Sequence, residues 1–316
     1  MHIGLLFVVE LVLLASLRGP AQIPVDYHQH LLSPRIAKIG SLPNPVTAHD
    51  LIQLMDRAGV QRALVLSLAY QYGSPNKPAL ADEYARVREE NDWTAYQVAQ
   101  FPGRLRAFCG VDPLKEYALS EIARCGKNPY LRSGLKLHFG NSDVDLDNPL
   151  HVSRLRQVFQ AADERGMAIV VHLRPSLSRG RPYGKREAIV FLNSVLTAAP
   201  HVSIQIAHLA GAGGYDDPSV DQALSVFVDA IASRDPRMDH VYFDISGVAG
   251  LGRWSERKDV IAERIRQIGV SRILWGSDGA FGGGMTPEQA LKAYKELPLS
   301  KQEFETIEAN IAPYMR

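Results

Sequence analysis

Residues 23–30 read IPVDYHQH, an apolar, β-rich run that ends in two histidines one residue apart. Side chains at positions i and i+2 of a strand project to the same side, so His28 and His30 share one face at the carboxyl end of this strand. Two neutral imidazoles placed in this way can bind one divalent cation. Alone the pattern is weak, because a pair of surface histidines has the same spacing.

Seven further β-rich runs follow, and they alternate with amphipathic segments of helical period. The predicted strands are 23–30, 62–69, 104–111, 134–139, 167–173, 202–209, 241–246 and 272–277. The predicted helices are 47–58, 79–100, 115–125, 149–165, 185–198, 219–233, 256–268, 286–296 and a terminal helix at 300–316. Strands that alternate with helices are typical of a parallel sheet. Eight such pairs in 316 residues predict an α/β fold, a TIM-like (β/α)8 barrel, which usually needs ~250 residues.

The barrel is predicted as a single domain over residues 22–316. Before it, residues 3–17 form an apolar block, and a Gly-Pro breaker and small residues follow. Residues 1–21 therefore resemble a secretory signal peptide, although no Lys or Arg precedes the block and Glu10 interrupts it. We expect export, as to a periplasm. The alternative is a cytoplasmic enzyme with a wrongly assigned start codon.

The charge balance disfavours two classes of partner. The chain has 35 basic and 34 acidic residues, and this net charge of +1 gives no field that attracts nucleic acid or anionic membranes. We expect a small-molecule substrate, no nucleic acid and no membrane contact after signal removal, and we leave a homo-oligomer open. Two cysteines are too few for a disulfide framework, so Cys109 is interpreted as a buried thiol and Cys125 as a helix-end residue, with a bridge between the two as the alternative.

Other predicted strands also end in polar residues. His172 ends strand five, His208 ends strand six, and Asp278 follows strand eight. Each alone could be a hydrogen-bonded core or cap residue. All are metal-ligand types, however, and the carboxyl ends of barrel strands meet at one mouth. The set therefore predicts a metal site there.

Lys136 lies in the middle of the apolar fourth strand, where a lysine is costly unless it has a task. Burial lowers the pKa of a lysine, and a neutral amine can react with carbon dioxide to give a carbamate that bridges two metals. The alternatives are an ammonium that binds a substrate carboxylate and a salt bridge. His138 shares the face of Lys136 and could contact substrate or belong to a loop. Asp244, on strand seven, could face either the barrel or the helices.

His-x-His on strand one, Lys on four, His on five and six, and Asp on eight together resemble the amidohydrolase superfamily. Nearly all of 23–316 is similar to its second amidohydrolase family, which includes aminocarboxymuconate-semialdehyde decarboxylase, related decarboxylases and several lactonases. The matching segments are 55–60, 91–93, 101–105, 111–113, 134–138 and 275–278. They are specific for the family and poorly specific for substrate.

The resemblance implies one divalent ion, zinc, with an activated water in its open position. Its ligands would be His28, His30, His172 and Asp278. His208 and Asp278 would be the catalytic residues that handle protons. If Lys136 is carboxylated, a second ion could sit on Lys136, His172 and His208. We favour one ion.

The loop after strand five carries three arginines, Arg174, Arg179 and Arg181, which could bind a carboxylate or be ordinary solvated charges. Tyr70 and Tyr72 follow strand two and could line the pocket or pack over its rim. The predicted substrate-binding residues are Lys136, His138, Arg174 and Tyr70.

We predict a metal-dependent hydrolase that acts on a small carboxylate-bearing lactone, ester or amide. One alternative is a non-oxidative decarboxylase, a carbon–carbon lyase of the same family. A second alternative is a non-catalytic binding protein on a barrel that has lost its activity. The complete set of ligand types argues against that second alternative.

Overall fold

The computed structural model describes residues 23–316 apart from 43, 216, 251–256 and 280–284. Each strand of its eight-stranded parallel sheet pairs with the next one in sequence. The strands are β1 (Ile23–Gln29), β2 (Val60–Leu66), β3 (Leu105–Gly110), β4 (Gly134–His138), β5 (Ala168–His172), β6 (Ile204–Ile206), β7 (Val241–Asp244) and β8 (Ile273–Leu274). Backbone hydrogen bonds from Tyr27 N–H to the Trp275 carbonyl and from Asp278 N–H to the His28 carbonyl join the last strand to the first. The predicted TIM-like (β/α)8 barrel is confirmed, while the predicted signal peptide at 1–21 lies outside the described residues.

The α-helices in the described ranges surround the sheet. They are α1 (Pro34–Ile39), α2 (Ala48–Ala58), α3 (Glu83–Ala99), α4 (Ala118–Cys125), α5 (Pro149–Asp163), α6 (Lys185–Val190), α7 (Pro218–Ala232), α8 (Lys258–Ile268), α9 (Pro287–Lys295) and α10 (Lys301–Ala309). Among the described residues, no helix has both the length and the hydropathy needed to cross a bilayer.

Two parts of the predicted helix pattern are wrong. The segment 31–46, which lies between the first predicted strand and the first predicted helix, contains α1. This helix begins because Ser33 Oγ accepts a hydrogen bond from Ile36 N–H and Pro34 fits the first turn. The terminal helix predicted at 300–316 ends at Ala309, and the chain then turns under the barrel. A side-chain cap therefore starts α1, and tertiary packing of the last residues ends α10.

Strand alternation separates two apolar layers. In β4, Leu135 and Leu137 belong to the large core between sheet and helices, whereas Lys136 between them lies inside the barrel. A second, smaller cluster fills the lower interior of the barrel, and its members come from several strands and the C-terminus: Val25, Tyr27, Leu64, Leu66, Phe108, Ala168, Val170, Leu274, Ala312, Tyr314 and Met315. The upper interior is left for polar side chains.

β1 changes phase in the middle of its length. Tyr27 belongs to the lower interior cluster, yet the next residue, His28, lines the upper cavity. The pairing of β1 with β2 shifts register between Asp26 and Gln29, as at a β-bulge. Because of this irregularity, the first part of β1 packs into the lower interior of the barrel, and both histidines then line the cavity above it.

Cys109 on β3 and Cys125 at the end of α4 form a disulfide, with Cα atoms 6.2 Å apart. The interpretation of Cys109 as a buried free thiol is therefore wrong, whereas Cys125 does end a helix. The two residues meet because α4 packs back on the outer face of β3, and both are fully buried.

We expect the double variant Cys109→Ala/Cys125→Ala to be less stable than the oxidised wild type. Closing a loop across 16 residues reduces the entropy of the unfolded chain, which corresponds to about 2–4 kcal/mol of unfolding free energy. Urea unfolding of both proteins without reductant measures the difference. Equal midpoints and slopes would show that the bridge contributes nothing.

Candidate metal centre

A cavity of about 220 Å³ opens where the carboxyl ends of the strands meet. Its walls contain most of the predicted site residues and several others: His28, His30, Leu68, Tyr70, Gln71, Lys136, His138, Asn141, His172, His208, Ala212 and Asp278. The prediction that side chains from strands one, four, five, six and eight converge at one mouth therefore agrees with the structure.

Three of the four predicted metal ligands form a tight group. One ligand atom from each of His28, His30 and Asp278 lies within 4.8 Å of the others. His30 Nε2 is 3.5 Å from Asp278 Oδ1. His172 lies farther along the wall, with its ring stacked on His138 at 3.8 Å between centroids and 5.2 Å from the ring of His208.

Hydrogen bonds fix which ring nitrogen of His28 and His30 carries the proton. His28 Nδ1 is 3.0 Å from Asp244 Oδ2, and His30 Nδ1 is 2.7 Å from the Leu66 carbonyl oxygen. Carboxylate and carbonyl oxygens only accept, so both Nδ1 atoms donate. Each Nε2 therefore carries a lone pair on the cavity side, the arrangement typical of metal-bound histidines.

His208 lies beyond the end of its strand, not on it as predicted. β6 ends at Ile206, and His208 and the two residues after it have φ of 54°, 49° and 66°. Such left-handed conformations each cost about 1–3 kcal/mol for non-glycine residues and often occur at functional sites. His208 Nδ1 donates to the Ser246 carbonyl at 2.8 Å, which again leaves Nε2 with the lone pair.

Asp244 faces the barrel interior and organises this turn. Its two oxygens accept hydrogen bonds from His28 Nδ1, Gln205 Nε2, His208 N–H and both the hydroxyl and N–H of Ser246. Burial alone would raise the pKa of Asp244, but His28, His208 and these hydrogen bonds hold it well below its usual range. From the sequence, the direction of the Asp244 side chain stayed open and Gln205 was missed. Both are polar residues between apolar ones in a strand, as Lys136 is.

Asp26 ties β1 to the chain that follows β8. Its oxygens accept hydrogen bonds from Ser277 N–H and Oγ, from Gln29 Nε2 and from His28 N–H. Burial raises the pKa of Asp26, and these hydrogen bonds oppose the rise. Asp26, which was not predicted as a site residue, thus holds together the backbone of the two segments that carry His28 and Asp278.

Lys136 is buried, as predicted, with 1% of its surface exposed. Its Nζ lies 3.1 Å from His28 Nε2. Burial lowers the pKa of Lys136 to about 8, although Asp244 and Asp278 act in the opposite direction. The side chain therefore lies among the predicted ligands and gives up its proton more readily than an exposed lysine does.

His138 has the opposite tautomer to the other cavity histidines. Its Nδ1 accepts a hydrogen bond from Asn141 N–H at 3.1 Å, so in the neutral ring Nε2 carries the proton. Tyr70 is buried against it, with ring centroids 5.2 Å apart, and burial raises the pKa of Tyr70. His138 and Tyr70 therefore form a flat wall that offers a hydrogen-bond donor.

Arg174 lines an adjoining cavity of about 410 Å³ that shares His138 and His172 with the first. Its Nε donates to Asp217 Oδ2 at 2.9 Å, and its guanidinium lies 4.9 Å from the centroid of the Tyr183 ring. The structure therefore places Arg174 beside the first cavity rather than within it, and Asp217 partly neutralises its charge.

The remaining loop candidates have structural contacts. Arg179 donates to Asn76 and to the Pro75 carbonyl, and Arg181 forms an ion pair with Asp143 at 2.7 Å. Tyr72 packs away from the cavity that His28 and His30 line, with its hydroxyl 3.3 Å from a carboxylate oxygen of α3. These three side chains lie outside the lining of both cavities.

We expect the metal-free protein to lose stability as the pH falls below about 6.5, the pKa of an unfolded histidine. Burial lowers the pKa of four cavity histidines: His30, His138, His172 and His208. Below pH 6.5 the unfolded chain therefore binds more protons than the folded one, and each group removes up to about 1.4 kcal/mol per pH unit until its lowered pKa is reached. Urea unfolding of metal-free protein near pH 7.5 and near pH 5.5 measures the loss.

In the variant His138→Gln, the unfolding free energy of the metal-free protein should depend less steeply on pH. The number of protons taken up on unfolding should fall by up to one. The matched control is His201→Gln at an exposed histidine. Identical slopes for His138→Gln and wild type would contradict the prediction.

Comparison with known proteins defines the family. A family model described as Amidohydrolase matches residues 25–309. Among solved structures, 5-carboxyvanillate decarboxylase from Sphingomonas paucimobilis aligns with 16% identity and a TM-score of 0.62, over 92% of this chain and 97% of that one. A dihydroxybenzoic acid decarboxylase from Polaromonas sp. JS666, with bound manganese and 2-nitroresorcinol, aligns with 19% identity and a TM-score of 0.61, over 91% and 95%. An amidohydrolase from Burkholderia multivorans with bound zinc aligns with 13% identity and a TM-score of 0.60, over 91% and 96%. No protein with a curated function matches the chain.

The chain belongs to the amidohydrolase family, since the family model covers most of its length. It is therefore an enzyme of that class, and this membership favours catalysis over the non-catalytic alternative. The solved structures are too distant in sequence to show more than the shared fold. Both hydrolysis and decarboxylation are compatible with the family and the site.

Proposed function

We propose that this enzyme is a metal-dependent hydrolase of small organic acids. One observation carries the proposal: His28, His30 and His208 each place Nδ1–H on an oxygen acceptor, so that three Nε2 lone pairs face one cavity. Imidazole nitrogens beside a carboxylate are a ligand set suited to a divalent ion.

A buried oxygen atom supports this fit. Asp278 Oδ1 accepts no hydrogen bond from the described part of the chain, although the atom is buried. A buried carboxylate oxygen without a donor is costly, and a cation at this position would satisfy it. Asp244, in contrast, has both oxygens occupied by hydrogen bonds and is unsuited to be a ligand.

We propose one ion, zinc, held by His28, His30 and Asp278, with His172 completing the set. Nitrogen-rich ligand sets with one carboxylate suit zinc. Lys136 Nζ lies 3.1 Å from His28 Nε2, the atom that this ion would take, so the metal site and Lys136 are adjacent. The second ion on Lys136, His172 and His208 remains the alternative, and metal analysis of the loaded protein separates one equivalent from two.

When bound, such an ion supplies a water of lowered pKa and polarises a substrate carbonyl. The Asp278 carboxylate would accept the proton of the attacking water and return it to the leaving oxygen or nitrogen. His208 Nε2 orients that water or accepts a hydrogen bond from it. His138 Nε2–H and Lys136 donate to substrate oxygens on the opposite wall.

Arg174 supports a carboxylate-bearing substrate that extends into the adjoining cavity. We expect Arg174→Ala to raise KM for acidic substrates about tenfold, as the loss of one charge-assisted hydrogen bond would, and to leave kcat nearly unchanged. Kinetics with an acid and its methyl ester as paired substrates make the test. An equal effect on both substrates would exclude carboxylate recognition by Arg174.

Decarboxylation is the second candidate. The flat wall of Tyr70, His138 and His172 suits an aromatic ring, and two of the aligned structures are named as decarboxylases of aromatic acids. Either reaction would use the same cavity, so a product assay is needed to separate them.

The decisive experiment incubates zinc-loaded enzyme in ¹⁸O-labelled water with panels of lactones, esters, amides and hydroxybenzoic acids. Incorporation of ¹⁸O into an acid product supports hydrolysis. Release of carbon dioxide without incorporation supports decarboxylation. Wild-type protein that holds far below one equivalent of zinc or manganese and turns over no panel member would contradict the proposed function.

We propose that the enzyme works in an oxidising compartment outside the cytoplasm. The buried Cys109–Cys125 disulfide supports this, because such bridges are rare in reducing cytoplasm. The apolar block at 3–17 agrees with it. Cell fractionation of the full chain, with thiol alkylation to measure the oxidised fraction, tests the proposal. Fully reduced protein confined to the cytoplasm would refute it.

A further inference from the structure

A chain of hydrogen bonds runs from the C-terminus through the barrel to His28. The Tyr314 hydroxyl donates to Gln205 Oε1 at 2.5 Å, and Gln205 Nε2 donates to Asp244 Oδ2 at 2.5 Å. His28 Nδ1 donates to the same carboxylate oxygen at 3.0 Å. All four residues are buried, with at most 8% of their surface exposed. The floor of the barrel is thereby connected to a predicted metal ligand.

The chemistry of the partners fixes the orientation of the Gln205 amide. The carboxylate of Asp244 only accepts, so Gln205 must present its NH₂ group to it. The same NH₂ group also donates to the Tyr27 carbonyl at 3.2 Å. Gln205 Oε1 is left facing Tyr314, whose hydroxyl is the donor it needs. Without that hydroxyl, the buried Oε1 loses a hydrogen bond and the amide loses the contact that keeps its oxygen away from Asp244.

The C-terminal segment, residues 310–316, is anchored where the strands begin. Arg106 donates to the Tyr314 carbonyl and to the Arg316 carbonyl, and Arg62 donates to the Met315 carbonyl at 2.6 Å. Both arginines lie near the starts of their strands. Tyr314 is therefore held from below while its hydroxyl points up into the barrel.

We propose that Tyr314 is a positioning residue for the metal site. Through Gln205 and Asp244 it keeps His28 in the Nδ1–H form, with the Nε2 lone pair directed at the cavity. The proposal rests on the proposed function for the metal itself, and it assigns Tyr314 no contact with substrate.

The test is the variant Tyr314→Phe, which keeps the ring and removes the hydroxyl. We expect zinc affinity, measured by competition with a chromophoric chelator, to fall about tenfold, the lower end of the effect of groups that orient metal ligands. Nitrogen-15 NMR of metal-free protein should show His28 as a mixture of tautomers, whereas wild type shows the Nδ1–H form. At saturating zinc, kcat should change little.

The matched control is Tyr27→Phe. The Tyr27 hydroxyl is buried in the same cluster, where it donates to the Asn310 carbonyl and accepts from Ala312 N–H, but it does not belong to the chain that leads to Asp244. Its loss should lower stability and leave zinc affinity and the His28 tautomer unchanged. A zinc loss as large as that of Tyr314→Phe would show that the floor acts only structurally and would overturn the proposal.

A double-mutant cycle with Gln205→Leu tests the path of the effect. Once Gln205 is gone, adding Tyr314→Phe should weaken zinc binding no further. Full additivity, or an unchanged zinc affinity and His28 tautomer in Tyr314→Phe, would refute the relay while leaving the proposed function intact. If wild type itself binds neither zinc nor manganese and turns over no substrate, the proposed function fails. The NMR tautomer of His28 in metal-free protein then still decides whether Tyr314 orients it.

Discussion

The variant Asp278→Asn should lose at least about 10³-fold in kcat, because it removes the group proposed to carry the transferred proton and weakens a proposed metal ligand at the same residue. Asp278 has φ of 54° and donates its N–H to the His28 carbonyl. Asparagine is one of the few residues that tolerate this left-handed conformation, so the backbone should keep its position. The loss should therefore appear in chemistry and not in folding.

Steady-state kinetics over a range of zinc concentrations, with metal content measured on the same samples, separate the two contributions. If kcat falls only because the variant binds zinc more weakly, high zinc restores it. If kcat falls because the proton carrier is gone, high zinc does not restore it. The control is Asp221→Asn, which removes a carboxylate paired with Arg264 on the outside of the barrel and should leave kcat unchanged. Retention of more than a tenth of wild-type kcat by Asp278→Asn at saturating zinc would exclude Asp278 as the proton carrier.

Much of the barrel and its mouth could be predicted because parallel strands impose a strong constraint. Once each strand alternates with a helix, all carboxyl ends lie on one side, so His172 and His208 must approach His28 despite long separations in the chain. The strand ends themselves were less predictable. β6 stops two residues before His208, because hydrogen bonds to Asp244 stabilise a left-handed turn that no local propensity favours.

Three features depend on contacts that the sequence does not display. The phase change in β1 arises from a register shift against β2 and not from the residues themselves. The Cys109–Cys125 bridge requires that α4 lie behind β3. The insertion of Tyr314 into the barrel floor joins residues more than a hundred positions apart. Gln205 and Asp244, in contrast, could have been predicted from the sequence, because each is a polar residue flanked by apolar ones in a strand.

Asp244→Asn should weaken zinc binding about 10–100-fold, the effect expected when the hydrogen-bond partner of a metal-binding histidine is lost. The carboxylate faces five donors, and an asparagine side chain necessarily turns its NH₂ group toward some of them. If NH₂ takes the position of Oδ2, His28 must accept at Nδ1, and its Nε2 then carries a proton instead of a lone pair. If NH₂ takes the position of Oδ1, it opposes His208 N–H and the left-handed turn loses its support.

Either orientation leaves a buried donor without an acceptor, so the free energy of unfolding of the metal-free variant should fall by about 3–5 kcal/mol. Zinc competition and urea unfolding on the same protein measure both effects. Ser246→Ala is the informative comparison, since it removes a hydroxyl donor to Asp244 Oδ1 but keeps the contact of His28 with Oδ2 and the backbone acceptor of His208. It should cost about 1 kcal/mol of stability and little zinc affinity. An equal zinc loss in both variants would mean that packing around the turn, rather than the tautomer of His28, controls the metal site.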